Sequence, residues 1–372
     1  EAGWPLADPR DIEFPVHGMP NDRSADGKGK GYVDYVLWGE DGKPLAVIEA
    51  KRARKDPREG QEQARLYANC LQAQFGQRPV IFYTNGYDHW IWDDLRYPPR
   101  TIAGFLSSDE LQRMVQRRDT RLPLADVPTN RAIAGGGGRT YQEKAIRAVC
   151  HRFEDTERGG ENHRKALLVM ATGSGKTRVA IAASDVLMRA NWAKRILFLA
   201  DRVPLVKQAA SNFRKLLPDS SPVNLVMHPG ADGRVYVCTY PTMMNLIERG
   251  RQGGKQRFGP GYFDLVIIDE AHRSVYRKYK AIFDWFDAPL LGLTATPKDE
   301  IDKNTYSLFE LEDGVPTDAY DLKQAVTDGF LVPPKAIDVP LQYPRSGIRY
   351  DDLTDAEKDE WDALDWGEDG PP

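Results

Sequence analysis

The stretch from Leu167 to Thr177, LLVMATGSGKT, contains the residue types that hold a polyphosphate. An apolar run leads into a glycine-rich turn, and Lys176 and Thr177 stand where a helix would begin. Glycines free backbone N–H groups to wrap phosphate oxygens, and a helix N-terminus adds a favourable potential for anions. A lysine there reaches the β- and γ-phosphates, and a threonine hydroxyl holds Mg²⁺. The general pattern G-x-x-x-x-G-K-[ST] is not fully met, because Met170 occupies its first position. The variant A-x-x-G-x-G-K-T is met by Ala171, Gly173, Gly175, Lys176 and Thr177, with Thr172 and Ser174 completing the loop. Further on, the apolar run Leu265 to Ile268 ends at Asp269, Glu270, Ala271 and His272. Beside a phosphate loop, Asp269 suits a magnesium ion and Glu270 suits polarising an attacking water, so the pair points to ATP hydrolysis.

A second set of residues stands near the N-terminus. Tyr32 to Trp38 and Leu45 to Lys51 read as strands, joined by a two-residue turn at Asp41-Gly42. That register sets Asp34 directly opposite Glu49 and puts Lys51 on the face of Glu49. Two carboxylates are hard oxygen ligands suited to Mg²⁺ or Mn²⁺, and a lysine can orient a water or stabilise a pentavalent phosphate. The same three residues could also be a cross-strand salt cluster on a solvated face. A one-residue slip would turn Asp34 to the opposite face and dissolve the site. Next, Pro57 to Gln72 reads as a helix, on which Gln63 and Tyr67 are four apart and share a face.

Asp34, then Glu49-Ala50-Lys51, then Gln63-x-x-x-Tyr67 resembles the PD-(D/E)xK nuclease fold, in the subgroup with a QxxxY helix motif. The resemblance implies that Asp34 and Glu49 bind the nuclease metal, that Lys51 is catalytic, and that Gln63 and Tyr67 lie near the DNA. It departs at the front, where no proline precedes Asp34, and Glu13 is a weak candidate for the family's upstream acidic residue.

The elements after the phosphate loop alternate. Ile196 to Ala200, Val235 to Thr239, Leu265 to Ile268 and Leu290 to Leu293 read as strands. Leu205 to Leu217 and Thr242 to Glu248 read as helices. Such alternation implies a parallel sheet covered on both faces, with ligands at the carboxyl ends of strands. Gly173, Asp269 and Thr294 all fall there. These motifs are similar to those of superfamily 2 helicases and translocases, in their first RecA-like lobe. ATGSGKT matches motif I, Phe198 to Arg202 motif Ia, Thr239-Tyr240-Pro241 motif Ib, DEAH motif II, and Leu293 to Pro297 motif III. The resemblance implies ATP and Mg²⁺, with Thr177 and Asp269 on the ion. It makes Arg202 and Thr239 DNA contacts and Thr294, Thr296 and His272 coupling residues. Gln142, opening a helix upstream of the loop, has an amide that matches an adenine edge.

The predicted class is α/β: a PD-(D/E)xK nuclease-like domain, 1–130, then a glycine-rich linker, 131–138, and a RecA-like lobe, 139–330. Residues 331–372 read as a crossover towards a second lobe, with an acidic tail. Tyr83, Trp90 and Trp92 read as packing, and the arginines of Leu111 to Arg121 as a solvated face. The composition, 41% hydrophobic and 28% charged without a long apolar run, argues against a membrane span. Three isolated cysteines and the lack of a signal peptide fit the cytoplasm. A net charge of −4 leaves DNA binding to local patches. The absence of an initiator methionine and of a second lobe suggests a piece of a longer chain.

A QxxxY nuclease followed directly by a DEAH motor resembles the restriction subunit of type I restriction–modification enzymes. Type III subunits place the nuclease after the motor. The resemblance implies ATP-driven translocation on double-stranded DNA, Mg²⁺-dependent cleavage, and methyltransferase and specificity subunits as partners. The rival is a superfamily 2 DNA helicase of repair or other phage defence, whose nuclease-like domain binds DNA without cutting. As a half motor, this chain is expected to hydrolyse ATP slowly. DNA-stimulated turnover at motor-like rates, measured by phosphate release, would overturn that.

Overall fold

Uninterrupted apolar runs build the centres of two sheets. In the computed structural model, which describes residues 2–20, 28–154, 163–251, 257–271, 273–296, 301, 303–333, 354 and 358, the first sheet has six strands. These are β1 (Ile12–His17), β2 (Lys30–Trp38), β3 (Pro44–Ala50), β4 (Val80–Thr84), β5 (His89–Trp92) and β6 (Arg100–Ile102), ordered as in the chain. Only β3 and β4 pair in parallel, and helix α1 (Gln61–Phe75) makes the crossover between them. Helix α2 (Ser108–Thr120) follows, opened by a capping box between Ser107 and Glu110.

The rest of the chain to Leu331 alternates strand and helix, after helix α3 (Thr140–Glu154). β7 (Lys165–Met170), α4 (Lys176–Arg189), β8 (Ile196–Ala200), α5 (Val203–Leu216), β9 (Pro222–Asn224), β10 (Val235–Thr239) and α6 (Tyr240–Arg251) come first. β11 (Leu265–Asp269), α7 (Arg273–Trp285), β12 (Leu290–Thr294), α8 (Lys303–Leu308), β13 (Asp318–Tyr320) and α9 (Leu322–Thr327) complete it. The strand order is β13-β7-β12-β11-β8-β10-β9, with every pairing parallel. The fold class is therefore α/β, as expected, with a parallel-sheet lobe. Residues Val332–Pro372 group separately.

Several local expectations needed correction. The opening contains a strand, β1, which the proline-rich composition hid; as an edge strand it tolerates Pro15. The hairpin expected to turn at Asp41-Gly42 has a longer connection, and a second hairpin follows. β2 and β3 are joined through residues 39–43 with Gly42 at φ +74°, and β4 and β5 through residues 85–88. The strand register survives because a bulge at Leu37/Trp38 absorbs the difference, leaving Tyr35 opposite Ile48. The glycine-rich stretch is a succession of turns, and Gly135 N donates to the side chain of Gln142 at 2.9 Å. Leu124, Val127, Ile133 and Ala134 pack into the core of the parallel-sheet lobe, so by packing that lobe begins before residue 131. Tyr83 is buried and stacks on Trp90 at 5.7 Å, which supports packing.

The arginines of α2 are not a solvated face. Arg117 forms a bidentate pair with Asp264 of the second lobe, one arm at 2.7 Å, and Arg118 binds Asp93 at 2.7 Å. Asp264 Oδ2 also accepts from the backbone N–H groups of Lys194 and Arg195, both at 2.8 Å. A matching cluster forms at Asp287, which takes Arg100 of β6 through two bonds of 2.6 Å and Arg164, just before β7, at 2.9 Å. Burial would raise the Asp287 carboxyl, but the two guanidinium groups outweigh it and hold it at about 2. Gly259 and Gly261 let the lobes approach, since a Cβ on Gly259 would lie 2.7 Å from Glu110 Oε1.

Removing one partner of a buried ion cluster strands the others. Asp287→Ala is expected to destabilise the chain by about 3–5 kcal/mol, read by urea unfolding. Wild-type stability in that variant would show that the cluster is solvated.

Candidate functional sites

The first site forms at the carboxyl end of β3. Glu49 is 3% exposed on the central strand, and Lys51 Nζ donates to its Oε1 at 2.6 Å. Asp34, on the neighbouring strand, turns its Oδ2 to the N–H of Ala50 at 2.7 Å. Lys51 Nζ also donates to Gln63 Oε1 at 2.9 Å, and Gln63 Nε2 donates to the Tyr67 hydroxyl at 2.6 Å. Glu49, Lys51, Gln63 and Tyr67 thus form one run of side-chain hydrogen bonds, with Asp34 bonded to the backbone between Glu49 and Lys51. Gly60, which sequence reasoning missed, admits the helix entry to this site: a Cβ there would meet Glu49 Cγ at 2.8 Å. Glu13 lies between the Ile12–Tyr35 and Phe14–Val33 pairs, exposed, with its backbone at φ +50°.

Glu49 Oε2 is buried and has no hydrogen-bond partner. A buried carboxylate oxygen with no partner is costly unless a cation completes it. Burial pushes the Glu49 carboxyl up to about 7; Lys51 opposes the shift and the nearby Asp34 charge adds to it. The donor set fits a hard divalent ion held by two carboxylates. Among the described residues there is no group of three or more His, Cys, Asp or Glu side chains that could hold a metal.

The second site lies where β7, β11 and β12 end. Gly173 and Gly175 have φ of +85° and +97°, a conformation that glycine adopts without strain. Gly175 is the N-cap of α4, and no side chain caps that helix. The free first-turn N–H groups and the helix dipole are thus left for an anion, which is the fit expected of a phosphate. Thr172 and Gly173 are exposed, whereas Ser174 is buried and its hydroxyl bonds back to Ala171 O at 2.7 Å. Lys176 Nζ rests 3.4 Å from Met170 O, and Thr177, half-buried, follows it in the first turn.

Burial raises the Asp269 carboxyl to about 6, with Glu270 adding to the shift and Lys176 opposing it. Glu270 stands at φ +55°, a strained position for a side-chain-bearing residue. Ala271 N donates to Leu293 O at 2.8 Å, tying the acidic motif to β12. Thr294 is buried and its hydroxyl accepts from Thr296 N at 3.1 Å. His272 lies outside the described residues.

Two residues expected at ligands have partners within the lobe. Gln142 is buried with both ends of its amide engaged: Oε1 takes Gly135 N, and Nε2 donates to Ser174 O at 2.9 Å. In this arrangement it braces the phosphate loop. Thr239 is buried, with its hydroxyl bonded to that of Thr242 at 2.9 Å and accepting Thr242 N, so it caps α6. Arg202, by contrast, is 79% exposed at its side chain. Sequence reasoning missed Tyr141, whose hydroxyl donates to Ser174 O at 2.8 Å while its ring stacks on Tyr320 at 3.8 Å. Its place directly before Gln142 was the available signal.

Comparison with known proteins adds the following. Residues 4–100 match the family described as the type I restriction enzyme R protein N terminus. Residues 137–299 match the type III restriction enzyme, res subunit family. The type I restriction enzyme EcoAI endonuclease subunit of Escherichia coli is 32% identical over 334 residues, covering 85% of this chain and 39% of that one. The EcoKI endonuclease subunit of Escherichia coli strain K12 is 28% identical, covering 89% of this chain and 34% of that one. The chain therefore spans well under half the length of these relatives. A fragment of an HsdR subunit from Vibrio vulnificus YJ016 is 26% identical with a TM-score of 0.39, covering 88% of this chain and 58% of that one.

Two outcomes follow from the geometry. Gly175→Ala would force a Cβ to 2.6 Å from Gln142 Nε2 at a positive φ. It is expected to weaken binding of a fluorescent ATP analogue by about tenfold or more, the left-handed strain alone costing about 1–2 kcal/mol. The raised Glu49 carboxyl stays protonated in the folded chain at pH values where the unfolded one is ionised. Metal-free stability contributed by that proton is complete below about 4.5 and lost as pH rises through about 7. Glu49→Gln is expected to flatten that decline in unfolding experiments; an unchanged pH profile would exclude the shift.

Proposed function

We propose that this chain, which belongs to the type I restriction enzyme R-protein family, joins a metal-dependent DNA-cutting site to an ATP-driven lobe that moves double-stranded DNA. The observation that carries the reading is the partnerless buried oxygen of Glu49, beside Asp34 and Lys51, in the same chain as an uncapped phosphate loop. A salt cluster alone would not leave a carboxylate oxygen sealed from water.

In the cutting site, Glu49 and Asp34 would hold Mg²⁺, which when bound supplies Lewis acidity to the phosphodiester. Lys51 is aimed by Gln63 and neutralises charge on the attacked phosphate, while Tyr67 fixes Gln63. In the nucleotide site, the loop from Thr172 to Gly175 and the start of α4 cradle ATP phosphates. Lys176 meets the terminal phosphates, Thr177 and Asp269 would hold the magnesium ion, and Glu270 orients the attacking water. Thr294 and Thr296 couple that site to the DNA, and Arg202 contacts a phosphate. Sequence recognition belongs to partner subunits, a methyltransferase and a specificity subunit, with the cut made largely through backbone contacts. No described helix is long and apolar enough to cross a membrane, and the reading places the chain in the cytoplasm.

The test uses the whole enzyme with its partner subunits on plasmid DNA, with and without ATP. Lys51→Ala is expected to lower cutting by about 10²–10³-fold while DNA-stimulated ATPase persists. Lys176→Ala is expected to abolish both ATPase and ATP-dependent cutting. A wild type that hydrolyses ATP on DNA but never cuts would favour the rival, a helicase with a DNA-binding nuclease-like domain.

A further inference from the structure

The end of the first sheet that carries Glu49 and Lys51 also carries an exposed aromatic ring and cations that the cutting chemistry leaves unused. β3 and β4 run parallel, so their carboxyl ends meet: Ala50 pairs with Thr84, and Lys51 N donates to Thr84 O at 2.8 Å. The loop after Lys51 and the turn between β4 and β5 therefore leave the sheet side by side. Asn85 Nδ2 ties them by donating to Lys55 O at 3.1 Å.

That turn is braced from within. Asn85 Oδ1 accepts the N–H groups of Tyr87 and Asp88 at 3.0 and 2.8 Å. Thr84 Oγ1 accepts Gly86 N at 3.0 Å and donates to Asp88 O at 2.8 Å. On this support Tyr87 is 80% exposed. A single exposed apolar side chain is ordinary, but the loop that Asn85 ties to this turn also carries cations. Lys55 is paired with Glu59 and Arg58 with Asp56, and Asp88 is exposed beside the ring. The exposed side chains of Arg52 and Arg54 have no partner among the described residues. On the other flank of the site, at the start of β2, Tyr32 is 44% exposed with Lys30 Nζ 4.9 Å from its ring.

We propose that this end of the sheet is a base-stacking platform for a locally unpaired DNA strand, with Tyr87 stacking on a base freed from the helix and Arg52 and Arg54 holding the flanking phosphates. The proposal rests on the DNA-cutting reading of the site but is tested separately from it. A ring face is buried by a nucleobase only when that base is out of its stack, whereas guanidinium groups hold phosphates of any sequence. Rigidity of the turn means that little ordering accompanies the contact.

The test uses the full chain carrying Lys51→Ala, so that bound DNA stays intact, without ATP. Binding is measured to a fluorescein-labelled single-stranded oligonucleotide and to the matching duplex across a salt series. Adding Tyr87→Ala is expected to weaken single-strand binding by about tenfold or more, with a smaller effect on the duplex. Tyr87→Phe is expected to retain it. Arg52→Gln and Arg54→Gln are each expected to lower the salt slope on the single strand by roughly 0.7. A strand substituted with 5-iodouracil is expected to photocrosslink within residues 85–88.

Unchanged single-strand affinity in Tyr87→Ala, or an equal loss on duplex, would overturn the platform. So would weakened binding of the partner subunits with DNA affinity intact, which would make the surface a protein contact. If wild-type enzyme never cuts DNA yet these binding changes appear, the cutting reading fails and the platform stands. If it cuts normally and they do not appear, the reverse holds.

Discussion

The Asp287 carboxylate is the constraint on which the arrangement of the two lobes depends. It sits between α7 and β12 of the parallel sheet, and binds one arginine from the last strand of the first sheet and another at the entrance to the phosphate-loop strand. Loss of the shared anion would leave two buried cations uncompensated. With the Arg117–Asp264 pair, it fixes the first lobe on the second through charges that salt screens much less than surface pairs. The lobe interface is therefore charged where most cores are apolar, and it is directional.

Both sites follow one rule of sheet geometry. At the carboxyl ends of parallel strands the chain leaves the sheet and side chains converge without competing for ladder hydrogen bonds. The second lobe applies the rule three times, at Met170, Asp269 and Thr294. Among its described residues the first lobe has one parallel pair, β3 with β4, and its candidate cutting residues gather at the end of that pair. Neighbouring elements then set the chemistry. α1 and its glycine entry bury Glu49, while the turn at Gly135 and the ring of Tyr141 brace the phosphate loop.

Much of this was legible in the sequence. The long apolar strands and the phosphate loop were read nearly to the residue, because a buried parallel strand has no alternative use for an apolar run. The register that sets Tyr35 opposite Ile48 was also legible, but through a turn that proved too short, and the bulge beside Trp38 absorbed the difference. Less legible was everything that depends on a distant partner. Arg117 and Arg118 look solvated until the fold brings up Asp264 and Asp93. Gln142 looks free to read a base until Gly135 and Ser174 claim its amide. Short strands such as β6, β9 and β13 have three residues each, too few for a periodic pattern to show.

The two margins of the first sheet are closed in different ways. At β6 the strand is held against the second lobe through Arg100. At β1 the outer strand carries Pro15, which has no N–H to offer, and Glu13, whose left-handed backbone breaks the run of donors and acceptors. These features blunt both margins as templates for an added strand. Blunted margins of this kind disfavour edge-to-edge pairing and leave side-chain surfaces as the readier docking sites.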